Sequence, residues 1–398
     1  MIPKIREAFN AGFNEAHYER LQKEVLETFG EPCPFRISET PVFIDRDMRE
    51  KVHAACNAIL EQLDDLEFEA VRQRFMPKHL HSPTPVGNPH FLGIDFGICE
   101  DEHGNLSPQL IELQAFPSLF CYQPFLAKAY QKCYPSLPEN GFHYFLGGHT
   151  EETYFNALKE VILGDEDPEN VILMEIYPEK QKTRIDFSAT HQALGIDVVC
   201  MTRVIKEGNK LYYEKEGRKI RIHRIYNRVI FDDLYQFKDL KTNFNIFDDL
   251  DVTWITNPDW FFMISKCIMP MLSHESVPDS YYLDEIPKDI DLAQYVLKPL
   301  FSFAGKGVNL EPTWELLNSI QDRKNYMLQK KVTYAPLIKT KTDKSAKVEL
   351  RILYIWNEAE GKLKPVINLT RMGKGPMINV SHLTEDTWIG SSISFFEN

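Results

Sequence analysis

The sequence predicts an α/β fold in several parts, because three kinds of hydrophobic pattern follow one another along its 398 residues. Residues 1–85 carry apolar side chains three and four positions apart among many charges, which indicates helices. Over residues 170–265 strand-like runs alternate with helical stretches, as in an open α/β layer. From Asp284 onward, Lys-rich strands and hairpins predict a second β-rich region.

Composition narrows the class of ligand. The chain is 43% hydrophobic and 12% aromatic, as in ordinary globular proteins, and its formal charge of -13 argues against a nucleic-acid partner. Residues 298–351 differ from the rest, because they hold 11 Lys and Arg against 5 Asp and Glu. A local excess of positive charge in an acidic protein indicates where a phosphate-bearing ligand binds.

The cysteines and the apolar segments indicate in which cellular compartment the protein is expected. Seven cysteines are scattered without a Cys-x-x-Cys pair, which predicts neither a disulfide framework nor a zinc site. The first residues lack the apolar stretch of a signal peptide, and no run of about 18 apolar residues could cross a membrane. We therefore expect a cytoplasmic protein with reduced thiols and no membrane partner.

A β-hairpin is predicted where residues 91–99 and 108–116 flank a polar turn. If the turn is centred between His103 and Gly104, Asp95 lies opposite Glu112, and Gln114 shares their face. Facing carboxylates are destabilising unless a positive charge lies between them. Oxygen ligands of this kind suit Mg²⁺ or Mn²⁺, although a solvent-facing hairpin with hydrated acids is the alternative.

A lysine followed by small residues forms the next candidate. Lys298 ends a β-rich run and precedes Ser302, Gly305 and Gly307. Small residues let backbone N–H groups approach a phosphate, and the lysine adds positive charge. The spacing is not that of a Walker P-loop, so a glycine turn with a surface lysine stays open as an alternative.

Three further strands complete the pattern. Residues 326–332 predict a strand that leads into a hinge, where main-chain groups could pair with an adenine edge. The next strand places Glu349 and Arg351 on one face, and the chain returns through a strand that carries Arg371. Such a charged face is usually solvated, but here it recurs on successive strands.

In this order the elements resemble the circularly permuted branch of the ATP-grasp superfamily, which includes glutathionylspermidine synthetase-like proteins. The metal-binding acids of that superfamily usually come last, whereas Asp95 and Glu112 precede the lysine and glycine loop. The resemblance covers roughly residues 85–398. It implies a helical region (1–85), a metal-binding hairpin (86–125), a pre-ATP-grasp-like α/β domain (126–265) and a nucleotide-binding region (266–398).

The resemblance also implies roles for individual residues, with ATP and Mg²⁺ (or Mn²⁺) as cofactors. The metal would be held by Asp95, Glu112 and Gln114, and the phosphates by Lys266, Lys298, Ser302, Gly305 and Gly307. The adenine hinge would comprise Gln329, Lys330 and Val332. Two departures stand out, because relatives usually have asparagine where this chain has Gln114 and often have arginine where it has Gly93. Arg351 and Arg371 are therefore the candidate catalytic cations.

The implied reaction is ATP-dependent ligation of a small-molecule or peptide carboxylate to an amine, through an acyl phosphate and with release of ADP. Two alternatives stay open: a phosphoryl transferase on the same scaffold, and an ATP-binding module without catalysis, which Gly93 and Gln114 favour. Glu175, Asn227 and Arg228 end predicted strands of the α/β layer, where open sheets bind ligands. For each of these three residues taken singly, ordinary strand-end polarity is the better explanation.

Overall fold

The computed structural model describes residues 2–138, 140–230, 234, 237, 239–302, 305–340, 344–375, 377–378 and 387–398. Its helices are α1 (Pro3–Gly12), α2 (Glu15–Phe29), α3 (Arg46–Asp64), α4 (Phe68–Phe75), α5 (Tyr122–Cys133), α6 (Glu151–Leu163), α7 (Arg184–Leu194), α8 (Trp260–Met263) and α9 (Trp314–Ser319). The first strands are β1 (Val42–Ile44), β2 (Phe91–Glu100), β3 (Leu106–Gln114), β4 (Phe142–His143), β5 (Val171–Glu175), β6 (Asp197–Cys200), β7 (Ile205–Glu207), β8 (Lys210–Lys215) and β9 (Arg218–Ile222). The remaining strands are β10 (Arg224–Asn227), β11 (Thr253–Ile255), β12 (Ser280–Tyr282), β13 (Tyr295–Pro299), β14 (Tyr326–Lys330), β15 (Lys347–Asn357), β16 (Lys362–Gly373), β17 (Gly390–Ser392) and β18 (Ser394–Glu397).

The first 85 residues are mainly helical, as the sequence predicts. The side chain of Asn14 accepts a hydrogen bond from the backbone N–H of His17 at the start of α2, and Gly30 ends that helix in the left-handed conformation. Asp45 caps α3 through the N–H of Met48. One strand interrupts the helices, because β1 pairs in parallel with β18 from the other end of the chain. Local apolar spacing contains no information about such a distant partner.

The central sheet is antiparallel, with strand order β17–β16–β15–β2–β3. The predicted hairpin is confirmed: β2 and β3 pair with Asp95 opposite Glu112, and a bulge follows Asp95. On the other side of β2, strand β15 places Arg351 opposite Asp95. Strand β16 then places Arg371 opposite Glu349. Because side chains alternate along each strand, these charged residues lie on one face.

The other face of the central sheet is apolar and packs against α3. Ile94 and Phe96 of β2 and Leu350 of β15 are buried in one core with Val52 and Ile59 of that helix. Full burial of each such side chain contributes roughly 1.5–3 kcal/mol. This packing fixes which face of the sheet carries the charges.

A second antiparallel sheet has the strand order β12–β14–β13. Its middle strand carries Gln329 and its edge strand carries Lys298, with Lys298 paired to Met327 in the register. A small core that includes Leu283, Leu297 and Leu328 lies against it. The predicted strand before the hinge is confirmed, since β14 ends at Lys330.

The predicted open α/β layer is a four-stranded parallel sheet of order β11–β10–β5–β6. A three-stranded antiparallel ribbon, β7–β8–β9, stands beside it in the chain, and Glu216 and Gly217 turn between β8 and β9 with positive φ angles. Among the helices in the described ranges, none is both long and apolar enough to cross a membrane.

Candidate active site

Asp95 is the centre of a buried ion-pair network on the charged face of the central sheet. Its side chain is 1% exposed. Arg351 binds it through both nitrogens of the guanidinium edge: Nε contacts Oδ1, and Nη2 lies 2.6 Å from Oδ2. Arg371 adds a third bond, from Nη2 to Oδ2 at 2.7 Å. Both carboxylate oxygens therefore accept charge-assisted hydrogen bonds from arginine.

Arg351 also lies between the two facing acids. Its Nη2 atom is 2.6 Å from Asp95 and 3.7 Å from Oε1 of Glu112. Gly93 leaves room for this arrangement, because a Cβ atom at that position would stand 3.3 Å from Cδ of Arg351. The positive charge that facing carboxylates require is therefore supplied by an arginine of the neighbouring strand.

Arg371 links Asp95 to a second buried acid. Its Nη2 atom lies 3.0 Å from Oε2 of Glu349, whose Oε1 accepts a hydrogen bond of 2.6 Å from the hydroxyl of Tyr334. Burial raises the pKa of Glu349, although Arg371 opposes this. Burial alone would lower the pKa of Arg371, but Glu349 and Asp95 outweigh it and raise the value. Tyr334 has no sequence signal, because it stands outside any periodic segment.

Two lysines approach the same acids from other elements. Lys266, which begins a 3₁₀ turn, lies 3.2 Å from Oε2 of Glu112 and donates to the carbonyl of Ser302 at 2.6 Å. Lys298 of β13 donates to the carbonyl of Ile111 at 3.0 Å. The predicted phosphate lysines thus lie beside the predicted metal acid.

The pKa values in this cluster are strongly perturbed. Burial alone would raise the pKa of Glu112, but the nearby Lys266 and Arg351 outweigh it and lower the value to about 2. Burial lowers the pKa of Lys298 to about 8, although Glu112 opposes the shift. Such perturbation, at a cavity, is typical of functional sites.

A cavity of about 530 Å³ opens onto this cluster. The sequence-predicted residues in its lining are Glu112, Lys266, Lys298, Gly305, Gln329, Lys330, Val332 and Arg371. Residues that the sequence did not single out contribute apolar walls and further polar groups: Ile111, Val296, Val308, Leu310, Glu311, Lys331, Thr333, Tyr334, Lys347, Met377 and Ile378. Glu349 completes the charged end. The ion-pair cluster therefore forms one part of the lining, and apolar side chains with further charged and polar groups form the rest.

Five predicted site residues are not among the described lining residues of this cavity: Asp95, Gln114, Ser302, Gly307 and Arg351. Asp95 and Arg351 lie behind it, in the ion-pair network. Gln114 pairs with Gly93 in the register and, with Ser302, borders a separate cavity of about 20 Å³. Phe116, Phe261 and Phe301 wall that small space.

The predicted phosphate loop is described only in part, because residues 303 and 304 lie outside the described ranges. The hydroxyl of Ser302 lies 3.4 Å from the carbonyl of Pro299. Gly305 and Gly307 have φ angles of 67° and 74°, which disfavour residues with a Cβ atom. A Cβ on Gly307 would also stand 2.8 Å from Cγ of Pro299. The glycines are thus required by the backbone of the loop.

The predicted hinge is held by hydrogen bonds to its neighbours. The side-chain amide of Gln329 donates to the carbonyl of Leu110 at 3.0 Å, which ties the small sheet to β3. The N–H of Lys330 donates to the carbonyl of Asp279 at 2.8 Å. Val332 differs, since its N–H donates to none of the backbone carbonyls in the described ranges.

The strand-end residues of the parallel sheet serve the fold. Arg228 and Asp186 form an ion pair of 2.6 Å with side chains 2% and 0% exposed. Asp186 also accepts hydrogen bonds from the N–H groups of Cys121 and Tyr122 at the start of α5. Asn227 accepts from the N–H of Val229, two residues on. The structural alternative for these residues is therefore the better interpretation, and Arg228 is not free to bind a ligand.

The predicted metal ligands do not fit a divalent cation as they stand. Both oxygens of Asp95 are engaged by guanidinium groups, and both oxygens of Glu112 face a cation. In the part of the chain that the structure describes, no group of three or more His, Cys, Asp and Glu side chains could hold a metal ion. The metal roles of Asp95, Glu112 and Gln114 stay predictions, and the contacts of the two acids oppose theirs.

No family model matches the chain, and no curated protein matches it. Among solved structures the chain is similar to a glutathione synthetase-like effector from Globodera pallida in its apo form, with a TM-score of 0.60. The alignment covers 96% of each chain at 12% sequence identity. At that identity the similarity shows the fold alone: the chain is a mixed α/β protein whose fold is similar to that of this effector.

Proposed function

We propose that the chain is a permuted ATP-grasp protein that binds ATP in the 530 Å³ cavity and joins a carboxylate to an amine, forming ADP. The observation that carries this proposal is one cavity with an ionic end and apolar walls, located between two antiparallel sheets. Its volume lies within the roughly 300–1,000 Å³ of small-molecule sites. The structural neighbour's description as glutathione synthetase-like supports a ligase among ATP-using enzymes.

The orientation of the nucleotide follows from the distribution of charge. Lys266, Lys298 and Arg371 converge at one end, where the phosphates would lie. Val296 and Leu310 offer apolar contact to the base at the other, and the N–H of Val332 would meet the adenine edge. On this proposal residues 86–125 and 266–398 together form the nucleotide domain.

The chemistry needs positioning more than a protein nucleophile. A carboxylate oxygen of the acid attacks the γ-phosphorus, the bond to the β-phosphate oxygen breaks, and ADP leaves. The amine nitrogen then attacks the carbonyl carbon of the acyl phosphate, and inorganic phosphate leaves with formation of the amide. Lys298 and Arg371 stabilise the negative charge on the transferred phosphoryl group.

A second candidate, an ATP-binding module without ligase activity, is favoured by the space beyond Lys266. That space measures about 20 Å³ and is lined in part by Phe116, Phe261 and Phe301. The ring of Phe301 packs 5.3 Å from that of Phe262, which holds this part of the lining in place. An acid and an amine would need this region to open, whereas nucleotide binding would not.

Calorimetric titration of ATP tests the nucleotide site. Replacing Lys298 with methionine keeps the aliphatic stem and removes the charge, so affinity should fall by about tenfold or more. Lys210→Met is the matched control, since Lys210 is exposed on the ribbon, and its affinity should equal that of the parent. Equal affinity in both variants contradicts the proposed site.

A turnover assay distinguishes the ligase from the ATP-binding module without catalysis. Mixtures of acids and amines with ATP should yield ADP, phosphate and an amide that mass spectrometry identifies. A phosphorylated product in place of the amide indicates a phosphoryl transferase. ATP binding without ADP formation from any mixture supports the non-catalytic module.

A further inference from the structure

We propose that this site binds the phosphates of its nucleotide without a divalent cation, because Arg351 and Arg371 occupy the place where the two acids would hold one. The inference rests on the proposed nucleotide site and concerns how that site balances the negative charge of the phosphates. On this inference the carboxylate of Asp95 holds the two arginines in place and does not bind a metal ion. Three observations carry it.

The first observation is that guanidinium groups already bond to both oxygens of Asp95. Its side chain is 1% exposed, and its Oδ2 atom already accepts from Arg351 at 2.6 Å and from Arg371 at 2.7 Å. A magnesium ion needs a carboxylate oxygen at about 2.0–2.1 Å in near-octahedral geometry. Coordination by Oδ2 would therefore require a guanidinium group to leave a buried carboxylate, and Nε of Arg351 already bonds to Oδ1.

The second observation is that the space between the acids is built for Arg351. The side chain passes over Gly93, where a Cβ atom would stand 3.3 Å from its Cδ. Its Nη2 then lies within 3.7 Å of Glu112 as well as bonded to Asp95. The missing side chain at Gly93 and the contacts of Arg351 thus both favour a guanidinium in the position between Asp95 and Glu112.

The third observation is the balance of charge in the cluster. Its acids are Asp95, Glu112 and Glu349, and its cations are Lys266, Lys298, Arg351 and Arg371. Arginine stays protonated in proteins, so the positive charge of the two guanidiniums is permanent. The protein alone therefore gives the ionic end an excess of one positive charge before any nucleotide binds. Guanidinium groups bind phosphate oxygens well without a metal.

Calorimetry with ATP in EDTA and with ATP plus Mg²⁺ is the direct test on the unaltered chain. The expected dissociation constants agree within about threefold, because the metal adds no bond to the protein. Mn²⁺ alone, followed by electron paramagnetic resonance, should stay free in solution. Binding of ATP only when Mg²⁺ is present, or binding of Mn²⁺ alone, overturns the inference while leaving the nucleotide site intact. Binding of ATP under neither condition overturns the proposed function and the inference together.

The variant Arg351→Ala tests whether loss of the guanidinium makes ATP binding depend on a metal ion. Removal of the guanidinium vacates the position between Asp95 and Glu112, while Arg371 still bonds to Asp95 and Lys266 stays beside Glu112. ATP affinity in EDTA should fall by about tenfold or more, and Mn²⁺ should restore it. The control is Arg218→Ala, which removes an exposed arginine paired with Glu169 and should change neither value. Loss of affinity without recovery by Mn²⁺, in a folded variant, contradicts the position assigned to Arg351 between the two acids.

Discussion

The substitution Asp95→Asn should destabilise the protein, although sequence reasoning alone expects relief of repulsion between facing carboxylates. In the structure Asp95 neutralises two buried arginines, Arg351 and Arg371, and asparagine would leave both without that charge. Removing one partner of a buried ion pair typically costs about 3–5 kcal/mol. Each arginine still has a second acid nearby, because Arg371 lies 3.0 Å from Glu349 and Arg351 lies 3.7 Å from Glu112. We therefore expect a loss of stability at the lower end of this range, about 3 kcal/mol.

Urea denaturation without metal, followed by tryptophan fluorescence, measures this loss as a lower transition midpoint. The matched control is Asp251→Asn, which removes a half-exposed partner of Arg221 and should cost about 0–1 kcal/mol. The double variant Asp95→Asn with Arg351→Met should recover part of the loss, because it removes one of the two unpaired charges. If Asp95→Asn is as stable as the parent or more so, carboxylate repulsion dominates and the role of Asp95 in holding the two arginines is wrong.

Three further predictions follow from the site and its surroundings. Burial lowers the pKa of Lys298 to about 8 in the free protein, and bound phosphate favours the charged form of its side chain. ATP affinity measured by calorimetry should therefore fall about tenfold from pH 7 to pH 9, and Lys298→Arg should abolish that dependence. Gly93→Val should displace Arg351, lowering both the melting temperature and ATP affinity in EDTA. Asp186→Asn should lower stability by about 3 kcal/mol in urea and leave ATP affinity unchanged, because its pair with Arg228 is structural.

The parts of the site that depend on local periodicity could be predicted from the sequence. The assumed turn position gave the observed pairing of Asp95 with Glu112, but next to the turn Glu100 pairs with Leu106, one position off that register, and the bulge after Asp95 makes up the difference. Alternation along β15 likewise placed Glu349 and Arg351 on one face. Burial of that face could not be predicted, because it results from the small sheet covering it, which is a long-range contact.

Other features depend on contacts that no local pattern encodes. The pairing of β1 with β18 joins residues about 350 positions apart, and the chain between them contains no signal for it. Tyr334 reaches Glu349 from an irregular segment, over Gly97, where a Cβ would stand 2.8 Å from its ring. Both facts concern shape complementarity between distant segments, which sequence periodicity does not report.

The glycine at position 93 and the arginine at position 351 are best understood as one unit. From the sequence, Gly93 counts as the loss of a charge that relatives often carry two residues before the acid. In the structure a guanidinium reaches the same acid from the neighbouring strand, and the missing side chain at 93 is what lets it pass. The positive charge beside Asp95 therefore comes from β15, across the ladder from β2. It lies between the two acids, bonded to Asp95 and 3.7 Å from Glu112, which is the position that a bridging metal ion would otherwise take.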